Sequence, residues 1–206
     1  MSQKNRKRSI YTSFFTSIIH FYYLSPVIII MAAAEGIING SFIIFGVLLI
    51  TSIFFGRAFC GWICPSGGLQ DMCMTVRKGR VKTGYFDLIK YIVVWIPWLY
   101  IIIAMAIKAG GYTKVDPLYF TWYGISVTDI HNFIVFLVVF GSIAIFSFIF
   151  GRRSFCHYAC WMAPFMIIGT SIRNKLKLPG LRLRSDSSKC TDCMTCTKEC
   201  LMSLDV

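Results

Sequence analysis

Long apolar stretches alternate with short charged ones along this chain. Four of the apolar stretches, about Ile10 to Ala34, Ile37 to Phe55, Tyr91 to Ile107 and Phe133 to Phe150, have the roughly 17–25 residues a helix needs to cross a bilayer. They fall into two pairs, and the second member of each pair runs straight into Gly-Arg, at Gly56-Arg57 and Gly151-Arg152. After the first pair, Leu69, Met72, Cys73 and Val76 follow Ser66 at helical spacing, with Arg77, Lys78 and Arg80 beyond; this is the pattern of a helix lying at a membrane rim. The apolar run from Met162 to Ile172 is too short to span. It predicts a segment on the membrane surface, followed by a basic linker from Arg173 to Lys189.

This pattern predicts an all-α membrane protein with four transmembrane helices arranged as two repeated hairpins and a small cytoplasmic tail. Composition sharpens that picture, because 56% apolar residues in a chain of 206 with net charge +12 and mean hydropathy +0.66 exclude an ordinary soluble domain. The charge is confined to the rims. Four Lys and Arg precede the first apolar stretch, six lie from Arg57 to Lys90 and nine from Arg152 onward, leaving Lys108 and Lys114 alone in the other long loop. The positive-inside rule then places both termini in the cytoplasm. Because the basic segments alternate with spans, they match anionic lipid and topology rather than nucleic acid. The apolar run after Lys4–Arg8 exceeds the 7–15 residues of a signal-peptide core and contains Tyr11, His20, Tyr22 and Tyr23, so it reads as a span rather than a cleaved leader.

Cysteine spacing brings in the chemistry. Cys190, Cys193, Cys196 and Cys200 form C-x2-C-x2-C-x3-C, the run that wraps a [4Fe-4S] cluster in bacterial ferredoxins. A zinc knuckle is the bland alternative, but such sites pair two separated C-x2-C ribs. Two further pairs close the hairpins: Cys60 and Cys64 in Gly56-Arg57-Ala58-Phe59-Cys60-Gly61-Trp62-Ile63-Cys64-Pro65, and Cys156 and Cys160 in Gly151-Arg152-Arg153-Ser154-Phe155-Cys156-His157-Tyr158-Ala159-Cys160-Trp161, 96 residues apart. Equal hairpin topology allows a pseudo-twofold along the membrane normal, which brings both pairs to one rim. Residues four apart on a helix hold Cβ atoms about 5–6 Å apart, too far for a disulfide. Pro65 disfavours helix at Cys64, so a redox thiol or a metal ligand stays open there, against the plain reading of buried, inert thiols. Cys73 reads as packing.

Other candidates are titratable or aromatic. The loop from Lys108 to Asn132 holds Tyr112, Tyr119, Phe120, Trp122 and Tyr123, either an aromatic belt or the wall of a quinol pocket with Asp116 or His131 taking protons. His20 lies within the first apolar stretch, where a titratable group is costly unless it pairs or serves. Gln70 and Asp71 either anchor the rim or help shape a quinone or partner site. Phosphate-cradling glycine fingerprints, hydrolase elbows and zinc-protease helices are absent from the sequence.

Phe59 to Asp71, Cys156 to Cys160 and Cys190 to Val206, with the basic N-terminus, resemble the membrane-bound polyferredoxins of the NapH/NosR type, over nearly the whole chain. The resemblance implies a multi-pass protein of the bacterial cytoplasmic membrane, divided at 1–56, 57–90, 91–151, 152–189 and 190–206 into hairpin, Cys-x3-Cys loop, hairpin, Cys-x3-Cys segment with basic linker, and cluster motif. It implies electron transfer between a quinone pool or membrane redox partner and a cytoplasmic-side partner. The alternative it offers is a metal-handling or respiratory-oxidase maturation or regulatory protein that uses Cys60, Cys64, Cys156 and Cys160. Trp161 and Leu201 stand where the family has Pro, and its tails commonly carry two cluster motifs where this one has one. The cluster is then wrapped by all four tail thiols, completed by Cys60 or Cys156, or shared with a second chain.

Overall fold

A computed structural model of the protein describes residues 3–76, 79–81, 84–180, 190, 191 and 193–200. The fold is mostly helical. In place of one span over the first apolar stretch, the chain forms α1 (Gln3–Phe15), α2 (Ser17–His20), a 3-10 turn (Tyr22–Leu24) and α3 (Pro26–Ala34). Pro26 has no amide with which to continue the preceding turn, and Ser25 before it is extended at φ −85° and ψ 125°, as residues preceding proline tend to be.

The second stretch is shortened from its start. Ile37–Asn39 forms β1, and Asn39 caps α4 (Gly40–Phe55) by accepting from the Phe42 amide at 3.0 Å. Beyond it lie α5 (Ala58–Trp62) and α6 (Pro65–Cys73). A 3-10 turn (Tyr85–Leu88) and a π-helical stretch (Lys90–Trp95) lead into α7 (Ile96–Lys108). Strand β2 (Lys114–Asp116) then pairs in parallel with β1, Ile38 opposite Val115. The chain returns through α8 (Ile130–Phe150), α9 (Ser154–Tyr158) and α10 (Ala163–Lys175). By length and composition, Tyr85–Lys108 and Ile130–Phe150 are able to cross a membrane, while Gly40–Phe55 is an apolar helix of lesser length.

Gly56 (φ 59°) and Gly151 (φ 103°) end α4 and α8 in the positive-φ region that glycine enters without strain. From these turns the chain crosses over: α6 packs along α8, α10 packs along α4, and α3 packs on α7. At the α10–α4 crossing, Gly169 lies where any Cβ would run into the Leu49 carbonyl and Ser52. The core between these elements includes Ile29, Phe45, Trp98, Phe140 and Ile143, and reaches Cys64, Cys160 and Met166 at one end.

Two expectations change. In α6 Ser66 and Cys73 of the expected stripe are buried, but so are Gln70 and Asp71, while Val76 beyond the helix is exposed; Gln70 and Asp71 turn inward because their partners lie on other elements. The run from Met162 to Ile172 does not lie on a surface but packs against α4. Arg77, Lys78, residues 181–189 of the basic linker and residues 201–206 fall outside the described residues.

Candidate functional site

The end of α5 and the start of α6 place Cys60 and Cys64 beside α9, which holds Cys156, with Cys160 just beyond it. Both second cysteines lie near helix beginnings. Cys64 stands at the N-cap position of α6, where the Ser66 and Gly67 amides favour its thiolate, and the Ala163 amide of α10 does the same for Cys160. Gln70 joins the pairs, donating from Nε2 to Cys156 Sγ at 3.2 Å and accepting from the Phe155 amide at 3.1 Å. The Cys60 thiol meets the Met166 thioether at 3.3 Å.

An ion cluster lies beside the thiols. Asp71 accepts from Arg153 Nε at 2.8 Å, from Arg153 Nη2 at 3.0 Å and from Arg6 Nη1 at 3.1 Å. Arg153 stands in the left-handed region at φ 50°, an uncommon place for a non-glycine residue, and its guanidinium reaches back to the Cys60 carbonyl at 3.1 Å. The first repeat thus supplies the carboxylate and amide that hold the second, and the second supplies the guanidinium that holds the first. His157, between Cys156 and Cys160, lies 2.7 Å from Asp87.

The thiols sense one another. Burial, with Cys156 beside it, pushes the Cys64 thiol up to about 11, against the opposing pull of the nearby amides and Arg153. Burial and the other thiols raise Cys60 and Cys160 as well. These groups are soft donors, Cys64 and Cys160 buried and Cys60 partly so. Among the described residues no three His, Cys, Asp or Glu side chains are drawn to the distances of a shared metal ion. The donor set is nevertheless that of a soft metal or an iron-sulfur cluster.

The tail presents its cysteines differently. Cys190, Cys193 and Cys196 are exposed and Cys200 half-buried around the short helix α11 (Thr195–Glu199). The Thr195 hydroxyl and amide and the Thr191 hydroxyl lower the Cys193 thiol to about 7. Arg152 Nη1 donates to the Lys198 carbonyl at 2.7 Å, tying α11 to the start of the second Cys-x3-Cys segment. Four cysteines in ferredoxin spacing fit a [4Fe-4S] cluster by the chemistry of their donors.

The remaining candidates separate. His131 lines an apolar cavity of about 520 Å³ that also touches Phe140, Ser66, Trp161 and Met162. Asp116 is not on that wall; its carboxylate accepts from the Leu118 amide at 3.0 Å. His20 lines a second groove with Thr16, Tyr23 and Phe59. Trp122 and Tyr123 are exposed, and Cys73 is buried within α6. Sequence reasoning missed Arg153, Met166 and Arg6. The extra residue in Gly151-Arg152-Arg153-Ser154-Phe155, set against Gly56-Arg57-Ala58-Phe59, was the available signal for Arg153.

Residues 40–83 and 132–179, the segments that contain these thiols, match the family described as 4Fe-4S binding domain (Fer4_5). Thiol chemistry and family match together support an iron-sulfur, ferredoxin-like protein. The chain is similar to the "Uncharacterized protein MJ0750" of Methanocaldococcus jannaschii, 23% identical over 78% of this chain and 65% of the relative. It is also similar to the "Putative electron transport protein YccM" of Escherichia coli, 23% identical over 74% of this chain and 43% of the relative. It therefore spans less than two thirds of the length of these relatives. No solved structure matches. The family match covers both Cys-x3-Cys pairs and ends ahead of the tail motif.

Proposed function

We propose that the chain is a membrane-bound iron-sulfur electron-transfer protein of the NapH/NosR kind, passing electrons between a quinone pool or membrane redox partner and a partner at the cytoplasmic face. The observation that carries this reading is the meeting of Cys60 and Cys64 with Cys156 and Cys160 at one end of the fold, inside the two segments similar to a 4Fe-4S binding domain. Cys190, Cys193, Cys196 and Cys200 hold the cluster. A cluster there supplies one-electron chemistry at a potential set by charge, hydrogen bonds and exposure. The rim thiols and Arg153 provide a soft, buried neighbourhood, with Arg152 keeping the tail against it.

Four spans in two repeated hairpins, with both termini cytoplasmic in a bacterial membrane, are supported by the distribution of Lys and Arg and by the crossover of α6 and α10. The apolar side chains left exposed on α4, α7 and α8, such as Ile50, Ile103 and Val138, are the kind of surface that lipid covers. A quinone is supported by the apolar cavity of about 520 Å³, which reaches from His131 to Trp161 and Met162 beside the thiol segments. In this reading His131, on the cavity wall, exchanges the proton.

Anaerobic purification with iron, sulfide and EPR measurements tests the reading. Iron and sulfide in cluster ratio are expected, and Cys196→Ser removes the signal together with turnover of a quinol analogue; a colourless, iron-free protein overturns it. The contact between Cys60 Sγ and Met166 Sδ at 3.3 Å favours a second reading, a maturation protein that handles a soft metal such as copper. In that case metal binding survives Cys196→Ser and disappears with Cys64→Ser.

A further inference from the structure

Helix α5 has five residues, and its chain turns at Cys64-Pro65, where Pro65 has no amide to offer. A helix end leaves its last carbonyls without intrahelical donors. Here four consecutive carbonyls, from Cys60 to Ile63, are each taken by a side chain from elsewhere. Arg153 Nη1 donates to Cys60 O at 3.1 Å and Arg6 Nη1 to Gly61 O at 3.2 Å. Ser9 Oγ donates to Trp62 O at 3.0 Å, and Ser13 Oγ donates to Ile63 O.

Three of the four donors come from α1. Arg6, Ser9 and Ser13 are spaced at i, i+3 and i+7, so they share one helical face, and Ile10 between them is fully buried. The seat for this face is made by small residues. A Cβ at Gly68 would run into the Ile10 carbonyl, and one at Gly67, beside the Ile10 side chain, would run into the Cys60 carbonyl. Arg6 is fixed in turn by Asp71, the carboxylate that also holds Arg153. With its carbonyls drawn toward α1 and Arg153, the Cys60–Cys64 segment presents its sulfurs to the other side, toward Cys156 and Met166.

We propose that α1 is a donor strap for the first Cys-x3-Cys loop, and that Arg6, Ser9 and Ser13 are positioning residues that hold Cys60 and Cys64 in register with the second pair. The strap acts on the same thiols as the electron-transfer reading and does not depend on which cofactor, if any, they carry. It gives the basic N-terminal segment a task at the site in addition to its topological one.

The test is mass-resolved labelling of the full-length protein with N-ethylmaleimide under reducing, anaerobic conditions, comparing Cys64 with Cys160. Cys160 is the internal reference because α1 packs on α5 and α6. In Ser9→Ala/Ser13→Ala, labelling of Cys64 accelerates about fivefold for each hydrogen bond removed while Cys160 keeps its rate. Ser13→Thr, which retains the hydroxyl, restores slow labelling in a Ser9 background. Equal acceleration at both cysteines means the fold has opened generally and overturns the proposal, as does an unchanged Cys64 rate. An iron-free protein that still shows the Cys64-selective effect removes the electron-transfer reading and leaves the strap standing.

Discussion

Asp71 accepts from two guanidiniums on different parts of the chain, Arg6 and Arg153, and the side chains of Asp71 and Arg153 are 5% and 2% exposed. Removing the carboxylate leaves two mostly buried cations without their shared counter-ion. Breaking a buried pair from one side costs about 3–5 kcal/mol, so Asp71→Ala is expected to lower unfolding stability by that order, read from thermal or denaturant unfolding in detergent. Cys193 is at the opposite extreme. Its thiol is lowered to about 7 by Thr195 and Thr191, whereas Cys64 is raised to about 11. Lowering increases the thiolate fraction at a given pH, so in cluster-free protein at pH 7 iodoacetamide modifies Cys193 well ahead of Cys64. Thr195→Val moves the midpoint of Cys193 labelling to higher pH. The cysteines themselves were legible from spacing, and Gln70 and Asp71 as polar residues near them. Arg6, Arg153 and Met166 were not, because their role depends on neighbours 65, 82 and 106 positions away.

At the level of elements, apolar length survives folding where partners do not interrupt it. Tyr85–Lys108 and Ile130–Phe150 cover the expected third and fourth stretches. The first breaks at Ser25-Pro26, a signal present in the sequence but outweighed by the apolar run around it. The second loses its opening turn because Ile37–Asn39 finds a strand partner in Lys114–Asp116, a pairing between segments more than 70 residues apart that no local pattern announces. For α6, periodicity identified the helix and part of its buried surface, Ser66 and Cys73, and left out Gln70 and Asp71, which are satisfied by distant groups. The α10–α4 crossing depends on Gly169. Gly169→Val forces a side chain against Leu49 O and Ser52, and overpacking of this kind costs about 1–3 kcal/mol, visible as a lower midpoint in thermal unfolding.

For the whole molecule, the crossover of α6 onto α8 and α10 onto α4 means that each half buries part of its surface against the other. The thiol end is shared likewise, with Cys60 against Met166 and Cys156 against Gln70. A chain ending at residue 151 lacks α9 and α10 altogether. In it, Cys60 and Cys64 are expected to label at close to free-thiol rates, against slow labelling in the full chain, measured by the same mass-resolved alkylation. The order of biosynthesis follows. The first pair of cysteines leaves the ribosome about a hundred residues before the helix that shelters it, so the nascent protein carries two bare thiols through most of its synthesis. A cofactor delivered to that end finds a finished receptacle only once translation has passed Lys175, and oxidative damage has its best opportunity before then.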